Sequence, residues 1–344
     1  MANKPELKVG KKESKTGLNE LWLEVGIDCD LRCAYCFNNA GGVRKEKGTL
    51  SIDNYLNLLK QFKDMDGKTI GITGAGEPLV KSNLETTLSI ADFCRENKLH
   101  LVLFTNARQM DDNLISRLNS DHVSLMIKYN SSNPHIQDHI ARLNGYTKRR
   151  EKNIQKLLEN KLNLDSRLGF VTSIMDINYD EIPDIFRYCR DNQIIPDFDT
   201  VLKQGRGAKC NLSSEDEKIK SVFELLQKID RDEYGIEWLI SPTYVAGCCD
   251  RYKRHMYVTR FGDVSPCIGA SLKGVNLGNI KEDSLSQIWG SSLMQKIRHK
   301  EYIGECLECK NYQEEKCNSC LGRYADEINE ESINTVGCWN KRVD

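Results

Sequence analysis

Apolar residues follow two alternating patterns along the first 207 residues of the chain. Short apolar runs indicate buried strands, whereas apolar residues three to four positions apart indicate amphipathic helices. The runs predict six strands, at residues 21–26, 69–73, 99–104, 123–127, 167–172 and 194–201. The helical pattern predicts helices that start at residue 51 and span residues 84–96, 111–118, 149–160 and 180–192. Alternating strands and helices predict a parallel sheet. The sheet is either open, or closed or partly closed into a barrel.

Changes in composition divide the chain into four predicted segments. Residues 1–18 are polar and lysine-rich, and we expect a loose lead-in there. Residues 19–207 form the predicted barrel, and residues 208–240 contain an amphipathic linking helix. From residue 241 onward the alternation stops, and eight of the fourteen cysteines occur. Residues 241–344 are therefore predicted to form a second, cysteine-rich domain.

Three local predictions follow from the residues after the barrel. Ser214 and Glu217 have the spacing of a capping box at the start of the linking helix. Residues 255–268 have the pattern of a hairpin around a central glycine. Residues 284–299 have the apolar spacing of one helix. Each of these elements is predicted to be scaffold.

The charge balance and the cysteine content limit the classes of function. Lysine and arginine number 49 and aspartate and glutamate 50, so the formal net charge is −1. This balance gives no electrostatic case for nucleic acid or an anionic membrane as a partner. The sequence shows neither an apolar signal-peptide segment nor an apolar run near the roughly 20 residues of a membrane span. Because reducing cytosol keeps thiols free, fourteen cysteines predict a cytoplasmic metal-binding protein, in a cell that shields metal centres from oxygen.

Three cysteines lie close together just after the first predicted strand. Cys29, Cys33 and Cys36 have the spacing C-x3-C-x2-C. Three thiolates on one loop hold three irons of a [4Fe–4S] cluster, whose usual complement is four cysteines. No fourth cysteine is near in sequence, so one iron is left open to a non-protein ligand. Zinc is the weaker alternative, because structural zinc has four closed ligands and catalytic zinc usually includes a histidine or carboxylate.

This loop, with Tyr35 before its last cysteine, resembles the signature of the radical S-adenosylmethionine (radical SAM) superfamily. The resemblance implies a partial (β/α)6 TIM-like barrel with its site at the carboxyl ends of the strands. It also implies that the open iron chelates the amino and carboxylate groups of SAM, with Tyr35 and Phe37 near the cofactor. An electron from the cluster then splits SAM into methionine and a 5′-deoxyadenosyl radical, which abstracts hydrogen from a substrate. The electron is expected to come from an external donor such as flavodoxin or ferredoxin.

A glycine-containing turn follows the second predicted strand and has the sequence Gly74-Ala75-Gly76-Glu77-Pro78. Glycine allows a sharp turn and close approach of a ligand to the backbone. The turn resembles the Gly-Gly-Glu-Pro motif of radical SAM enzymes, which binds the SAM amino group, with alanine in place of the second glycine. The resemblance implies that three polar residues at the ends of the next two strands also contact the cofactor. An ordinary position in a loop is the equal alternative for each of them. They are Asn106, Lys128 and Asn130.

The cysteines near the carboxyl terminus have the spacing of cluster or zinc ligands, because paired C-x2-C units bring two thiolates to one site. A zinc ribbon accounts for residues 306–320 but not for the other cysteines. The whole set resembles the SPASM domain, which carries two auxiliary [4Fe–4S] clusters. In residues 306–320 the spacing is C-x2-C-x7-C-x2-C, whereas C-x2-C-x5-C-x3-C is usual in that domain. The resemblance implies an outer cluster held by Cys306, Cys309, Cys317 and Cys338. It implies an inner cluster held by Cys249 or Cys248, by Cys267 and by Cys320.

Auxiliary clusters suit a reaction in which a substrate radical loses an electron, or in which the protein passes an electron on. The resemblance implies a radical SAM oxidoreductase or maturase that modifies a peptide or protein side chain. A second hypothesis is oxidation or epimerisation of a small carbohydrate-like or cyclitol-like molecule. A third, of another class, is a metal-binding scaffold without catalysis. The sequence does not identify a catalytic acid or base.

Overall fold

Six parallel strands form the first part of the chain in the computed structural model, which describes residues 17–43, 46–73, 75–212, 214–240, 249–338 and 341–342. The strands are β1 (Glu20–Leu23), β2 (Thr69–Ile72), β3 (His100–Thr105), β4 (Val123–Lys128), β5 (Leu168–Ile174) and β6 (Ile195–Thr200). Each pairs in parallel with the next, and β5 is buried along its whole length. The α/β class with a parallel sheet is confirmed.

Helices connect the strands, and their apolar faces pack on the sheet. They are α1 (Ile52–Asp64), α2 (Lys81–Glu96), α3 (Asp112–Leu118), α4 (Pro134–Ala141), α5 (Tyr146–Glu159), α6 (Ile182–Asp191) and α7 (Asp216–Ile229). Ser51 caps α1 through reciprocal hydrogen bonds with Asn54, as its position before the first apolar residue indicated. Helix α4 is an addition, since the sequence pattern did not indicate it.

The first three strands of the second part extend the same sheet, and its last three form a separate three-stranded sheet. Its strands are β7 (His255–Val258), β8 (Asp263–Ser265), β9 (Gly278–Asn279), β10 (Ile303–Gly304), β11 (Ala325–Ile328) and β12 (Ile333–Thr335). Its helices are α8 (Arg251–Arg254), α9 (Ile268–Leu272), α10 (Leu285–Trp289), α11 (Ser292–Arg298), α12 (Lys310–Gln313) and α13 (Leu321–Tyr324). Strand β7 pairs in parallel with β1, and β7 and β8 form the predicted hairpin.

The nine-stranded sheet is open within the described residues. Its order is β6-β5-β4-β3-β2-β1-β7-β8-β9, so β6 and β9 are its edges. The edge position of β6 explains why the strand tolerates Pro196, because an edge residue needs no N–H for a neighbouring strand. The open side of the barrel therefore lies next to β6. No described helix is both long and apolar enough to cross a membrane.

Two local predictions are wrong. The linking helix α7 begins after Glu215, which makes no side-chain cap, and the buried Ser214 hydroxyl has no hydrogen-bond partner among the described residues. The Ser214–Glu217 capping box therefore does not form. The single helix predicted at residues 284–299 is two helices, because the backbone is extended at Ser291 between α10 and α11. Apolar spacing does not reveal such a break, since both helices bury apolar residues: α10 packs in the main core, and α11 packs in that core and in a second one.

Candidate active site at the carboxyl ends of the strands

An open cavity lies at the carboxyl ends of the parallel strands, with about 1350 Å³ of empty space that includes the solvent at its mouth. Each strand from β2 to β6 contributes polar residues at or just after its end, as expected of parallel barrels. These residues are Thr73, Thr105, Asn106, Lys128, Ser173, Asp199 and Thr200. Arg251 and Ile268 of the second part close the opposite wall. Both parts of the chain thus build one site.

The three thiols of the first cysteine loop all line this cavity, and they are its only cysteines among the described residues. Burial raises the pKa of Cys33 to about 12 and raises that of Cys29 further. Both thiols are therefore protonated before iron binds, and cluster assembly must release their protons. Three partly buried thiols on one loop beside open space fit a [4Fe–4S] cluster that has one iron open to another ligand.

Neighbouring segments hold the cysteine loop in place through backbone hydrogen bonds. Cys29 exchanges two of these bonds with Gly42, and the Ala34 N–H donates to the carbonyl of Ile140, near the end of α4. Arg206 adds a clasp that the sequence did not indicate. Its Nε donates to the Cys33 carbonyl at 2.8 Å, its Nη2 to the Ala40 carbonyl at 2.5 Å, and its backbone N–H to the Cys36 carbonyl at 2.9 Å.

Replacing Arg206 by alanine is expected to accelerate loss of the SAM-binding cluster by about tenfold, because each hydrogen bond from a charged donor contributes about 1.5–3 kcal/mol. The rate of decay of the SAM-sensitive EPR signal in a chelator measures this effect. The Arg206→Lys variant should lie between the alanine variant and the wild type. The matched control is Arg187→Ala, which removes an outward-facing arginine. Equal decay rates for Arg206→Ala and this control would contradict the clasp.

The glycine-containing turn lies directly against the cysteine loop. A Cβ atom on Gly76 would lie 2.2 Å from the Asp28 carbonyl oxygen, so this position has no room for a side chain. The Glu77 N–H donates to that carbonyl at 2.8 Å, and Asn83 donates to it and to the Glu77 carbonyl. Asn83 is a second residue that sequence reasoning missed. Gly74, predicted to contact the cofactor, lies outside the described residues.

The Gly76→Ala variant is expected to bind SAM about 5- to 150-fold more weakly, because overpacking of about 1–3 kcal/mol must displace the backbone that joins the turn to the cysteine loop. Equilibrium binding of SAM to the reconstituted protein measures this loss. Gly290→Ala is the matched control, since a Cβ at Gly290 meets only ordinary contacts and the backbone there is not left-handed. Unchanged SAM affinity in Gly76→Ala would show that the close approach is unimportant.

The Glu77 carboxylate is buried and connects the turn to the end of β3. It accepts hydrogen bonds from the Thr105 hydroxyl at 2.6 Å, from the Asn106 N–H at 2.7 Å and from the Leu79 N–H at 3.2 Å. Burial raises the pKa of Glu77 to about 7, and these donors oppose that effect. A carboxylate has about four acceptor positions, so one remains for a cationic group in the cavity.

The predicted cofactor residues separate into two groups. Seven line the cavity, namely Tyr35, Phe37, Ala75, Gly76, Glu77, Asn106 and Lys128. Pro78 and Asn130 do not line it. Instead, the Asn130 side chain donates to the Tyr35 hydroxyl at 3.0 Å, and so positions a cavity residue from behind. The SAM-binding roles of all these residues stay predictions.

Asp30 joins the cysteine loop to the segment after β3 and was not indicated by the sequence. Its carboxylate accepts hydrogen bonds from Asn106, Arg108 and Gln109 at 2.7–2.9 Å. Ala107, which follows Asn106, has a left-handed backbone with φ of 58°. That conformation explains why glycine suits this position.

The cysteines of the second part form two neighbouring sets. Five line a second cavity of about 410 Å³, namely Cys306, Cys309, Cys317, Cys320 and Cys338. Burial raises the pKa of Cys249, and the charges of Cys320 and Cys267 raise it further, so these three thiols lie near one another. Cys248 lies outside the described residues. This arrangement fits two clusters, with Cys320 between them, and the division of the ligands stays a prediction. No described set converges tightly enough to hold a single metal ion.

Two family models match the chain. Residues 23–189 match the radical SAM superfamily, and residues 248–321 match the SPASM iron-sulfur cluster-binding domain. A cofactor-modifying protein for tungsten-containing aldehyde ferredoxin oxidoreductase of Pyrococcus furiosus is 25% identical, over 93% of this chain and 91% of its own. The antilisterial bacteriocin subtilosin biosynthesis protein AlbA of Bacillus subtilis is 24% identical, over 93% of this chain and 73% of its own.

A solved structure has a similar fold. SuiB of Streptococcus suis bound to S-adenosylmethionine superposes with a TM-score of 0.71 at 17% identity, covering 93% of this chain and 77% of that chain. SuiB bound to its precursor peptide SuiA superposes with a TM-score of 0.66 at 18% identity, covering 89% and 72%. At these identities the likeness concerns the fold alone.

Proposed function

Because this chain belongs to the radical SAM superfamily and carries a C-terminal SPASM domain, we propose that it modifies a side chain of a peptide or protein. Its cofactors are a SAM-binding [4Fe–4S] cluster, SAM and auxiliary iron–sulfur clusters. When bound, the first cluster supplies the electron that splits SAM. We propose that this electron comes from an external protein such as flavodoxin or ferredoxin, and that the auxiliary clusters assist oxidation of the substrate.

The observation that carries the proposal is an open groove that adjoins the cavity. This groove, an open space of about 1020 Å³, lies between the segment after β6, the start of α7 and the second part of the chain. It shares three wall residues with the SAM cavity, namely Thr200, Val201 and Leu202. A groove that runs across both parts of the chain suits an extended polypeptide, with one side chain reaching into the cavity.

The residues of the cavity have separable tasks in this reaction. Cys29, Cys33 and Cys36 hold the cluster, and the turn at Gly76 and Glu77 presents backbone and carboxylate acceptors to the SAM ammonium group. The apolar side chains of Trp22, Phe104 and Val171 cover the inner wall and limit the access of water to a reactive centre. AlbA, whose name concerns the biosynthesis of a bacteriocin, supports a peptide substrate. The SuiB complex with its precursor peptide shows that a similar fold can bind a peptide.

The reconstituted protein should cleave SAM to 5′-deoxyadenosine under reductant, which would exclude a non-catalytic scaffold. Peptides encoded beside the gene should then be supplied with deuterium at candidate side chains, with scrambled peptides as the control. Transfer of deuterium to 5′-deoxyadenosine, together with a matching mass change in the peptide, would support the proposal. Turnover of small polyols, with no transfer from any peptide, would contradict it.

Charged groups at the inner end of the cavity favour a second candidate function. Lys128, Asp197, Asp199 and Arg251 all line it, and such groups suit the hydroxyls of a carbohydrate-like or cyclitol-like substrate. Burial raises the pKa of Asp197 to about 6, and the neighbouring Asp199 adds to this effect. The name of the Pyrococcus protein also concerns a cofactor rather than a peptide. The same deuterium-transfer experiment, with labelled polyols, decides between the two substrates.

A further inference from the structure

A single arginine connects the SAM cavity with the auxiliary cysteines. Arg323 lies on α13, three residues after Cys320, and its side chain is 12% exposed. Its Nη2 donates to Asp199 Oδ1 at 2.6 Å and to the Thr200 carbonyl at 3.2 Å. Asp199 and Thr200 belong to β6 and line the cavity. The ion pair therefore bridges the open side of the barrel, between the edge strand β6 and the second part of the chain.

Arg323 lies beside the cysteines predicted to hold the inner cluster. Helices α9 and α13 begin directly after Cys267 and Cys320. A Cβ atom on Gly269 would lie 2.6 Å from the Gly322 Cα, so the starts of these two helices are in close contact. The Arg323 backbone N–H donates to the Cys320 carbonyl at 3.1 Å. The Arg323–Asp199 ion pair is therefore next to the segments that carry Cys320 and Cys267.

We propose that Arg323 is a positioning residue that holds Asp199 in the cavity wall and sets the reduction potential of the inner auxiliary cluster. Cluster potentials depend on the net charge around the cluster and on its exposure to solvent. A nearby positive charge stabilises an added electron, whereas a nearby carboxylate destabilises it, and burial leaves both effects weakly screened. The Arg323–Asp199 pair, which lies at the wall of the substrate cavity, thereby adjusts the reduction potential of the inner auxiliary cluster, the proposed electron acceptor. This inference does not depend on the identity of the substrate.

The two partners make opposite predictions, which separates a charge effect from structural damage. EPR-monitored redox titration of the fully reconstituted protein at pH 8, without substrate, measures the potentials. The Arg323→Gln variant should lower the potential of one auxiliary cluster, and Asp199→Asn should raise the potential of the same cluster. The double variant should return towards the wild-type potential. The SAM-sensitive cluster is identified by its spectral change on adding SAM, and its potential should stay unchanged.

Two further variants keep the test decisive. Arg323→Lys retains the charge and should keep a potential near that of the wild type, so it replaces Arg323→Gln if the latter loses iron. Arg187→Gln removes the same charge from the exposed side of α6 and should shift no potential. Shifts of the same sign in Arg323→Gln and Asp199→Asn, or no shift in either, would overturn the proposal. Because no substrate is used, failure here is distinguishable from failure of the proposed function.

Discussion

The Cys33→Ala variant is expected to lose reductive SAM cleavage completely, because two remaining thiolates on the loop cannot hold three irons of the cluster. Iron should fall from about twelve per chain, which corresponds to three [4Fe–4S] clusters, to about eight. Chromatographic measurement of 5′-deoxyadenosine and chemical analysis of iron test both expectations on anaerobically reconstituted protein. The auxiliary clusters should stay, since their thiols lie in the second part of the chain.

The matched control for this experiment is Cys94→Ala. Cys94 is a buried thiol on α2 that packs in the hydrophobic core and does not line the cavity. Its replacement should leave both the iron content and SAM cleavage near wild-type values. Full SAM cleavage in Cys33→Ala, or an equal loss of iron in both variants, would refute the assignment of the first cluster to this loop.

The Asp230→Ala variant is expected to lower the free energy of unfolding by about 3–5 kcal/mol, because it leaves a buried arginine without its counter-charge. Arg190 donates to both carboxylate oxygens of Asp230, at 2.7 and 2.6 Å, and the Trp238 indole N–H donates to the same carboxylate at 2.9 Å. The Arg190 and Asp230 side chains are only 3% and 0% exposed. Anaerobic chemical unfolding of the cluster-bound protein measures the loss.

An exposed ion pair between the same two segments, α6 and the helical turn Asp230–Tyr234, provides the control. Arg187 donates to both Glu233 oxygens, at 2.8 and 2.7 Å, but these side chains are 38% and 42% exposed. The Glu233→Ala variant should cost less than about 1 kcal/mol, because water solvates both charges when the pair is broken. Similar losses in Asp230→Ala and Glu233→Ala would show that burial does not determine the strength of these pairs.

Short-range patterns in the sequence predicted much of the fold and the main metal ligands. The six strands were found because each is an apolar run between helices of 3–4 periodicity, and these signals are local. Ser51 was recognisable as a helix start for the same reason. The thiols of Cys29, Cys33 and Cys36 share one cavity because they lie on one short loop, so their spacing alone indicates a common site.

Local signals failed where a choice depended on the surrounding structure. The capping box at Ser214 has the expected spacing, yet the helix begins after Glu215 and Ser214 is buried. The apolar spacing of residues 284–299 continues through a break at Ser291, because both helices bury apolar residues. Helix boundaries of this kind depend on packing as much as on propensity.

The amino-acid sequence by itself therefore determined the succession of six strands along the chain, the cysteine loop and the presence of a second cysteine-rich part. Only the tertiary structure decided which residues support and connect the sites. Arg206 reaches Cys33 across 173 positions of sequence, and Arg323 reaches Asp199 across 124. An arginine in a loop or short helix has no periodic or spacing signature, because its partner is defined by the fold and not by neighbouring residues.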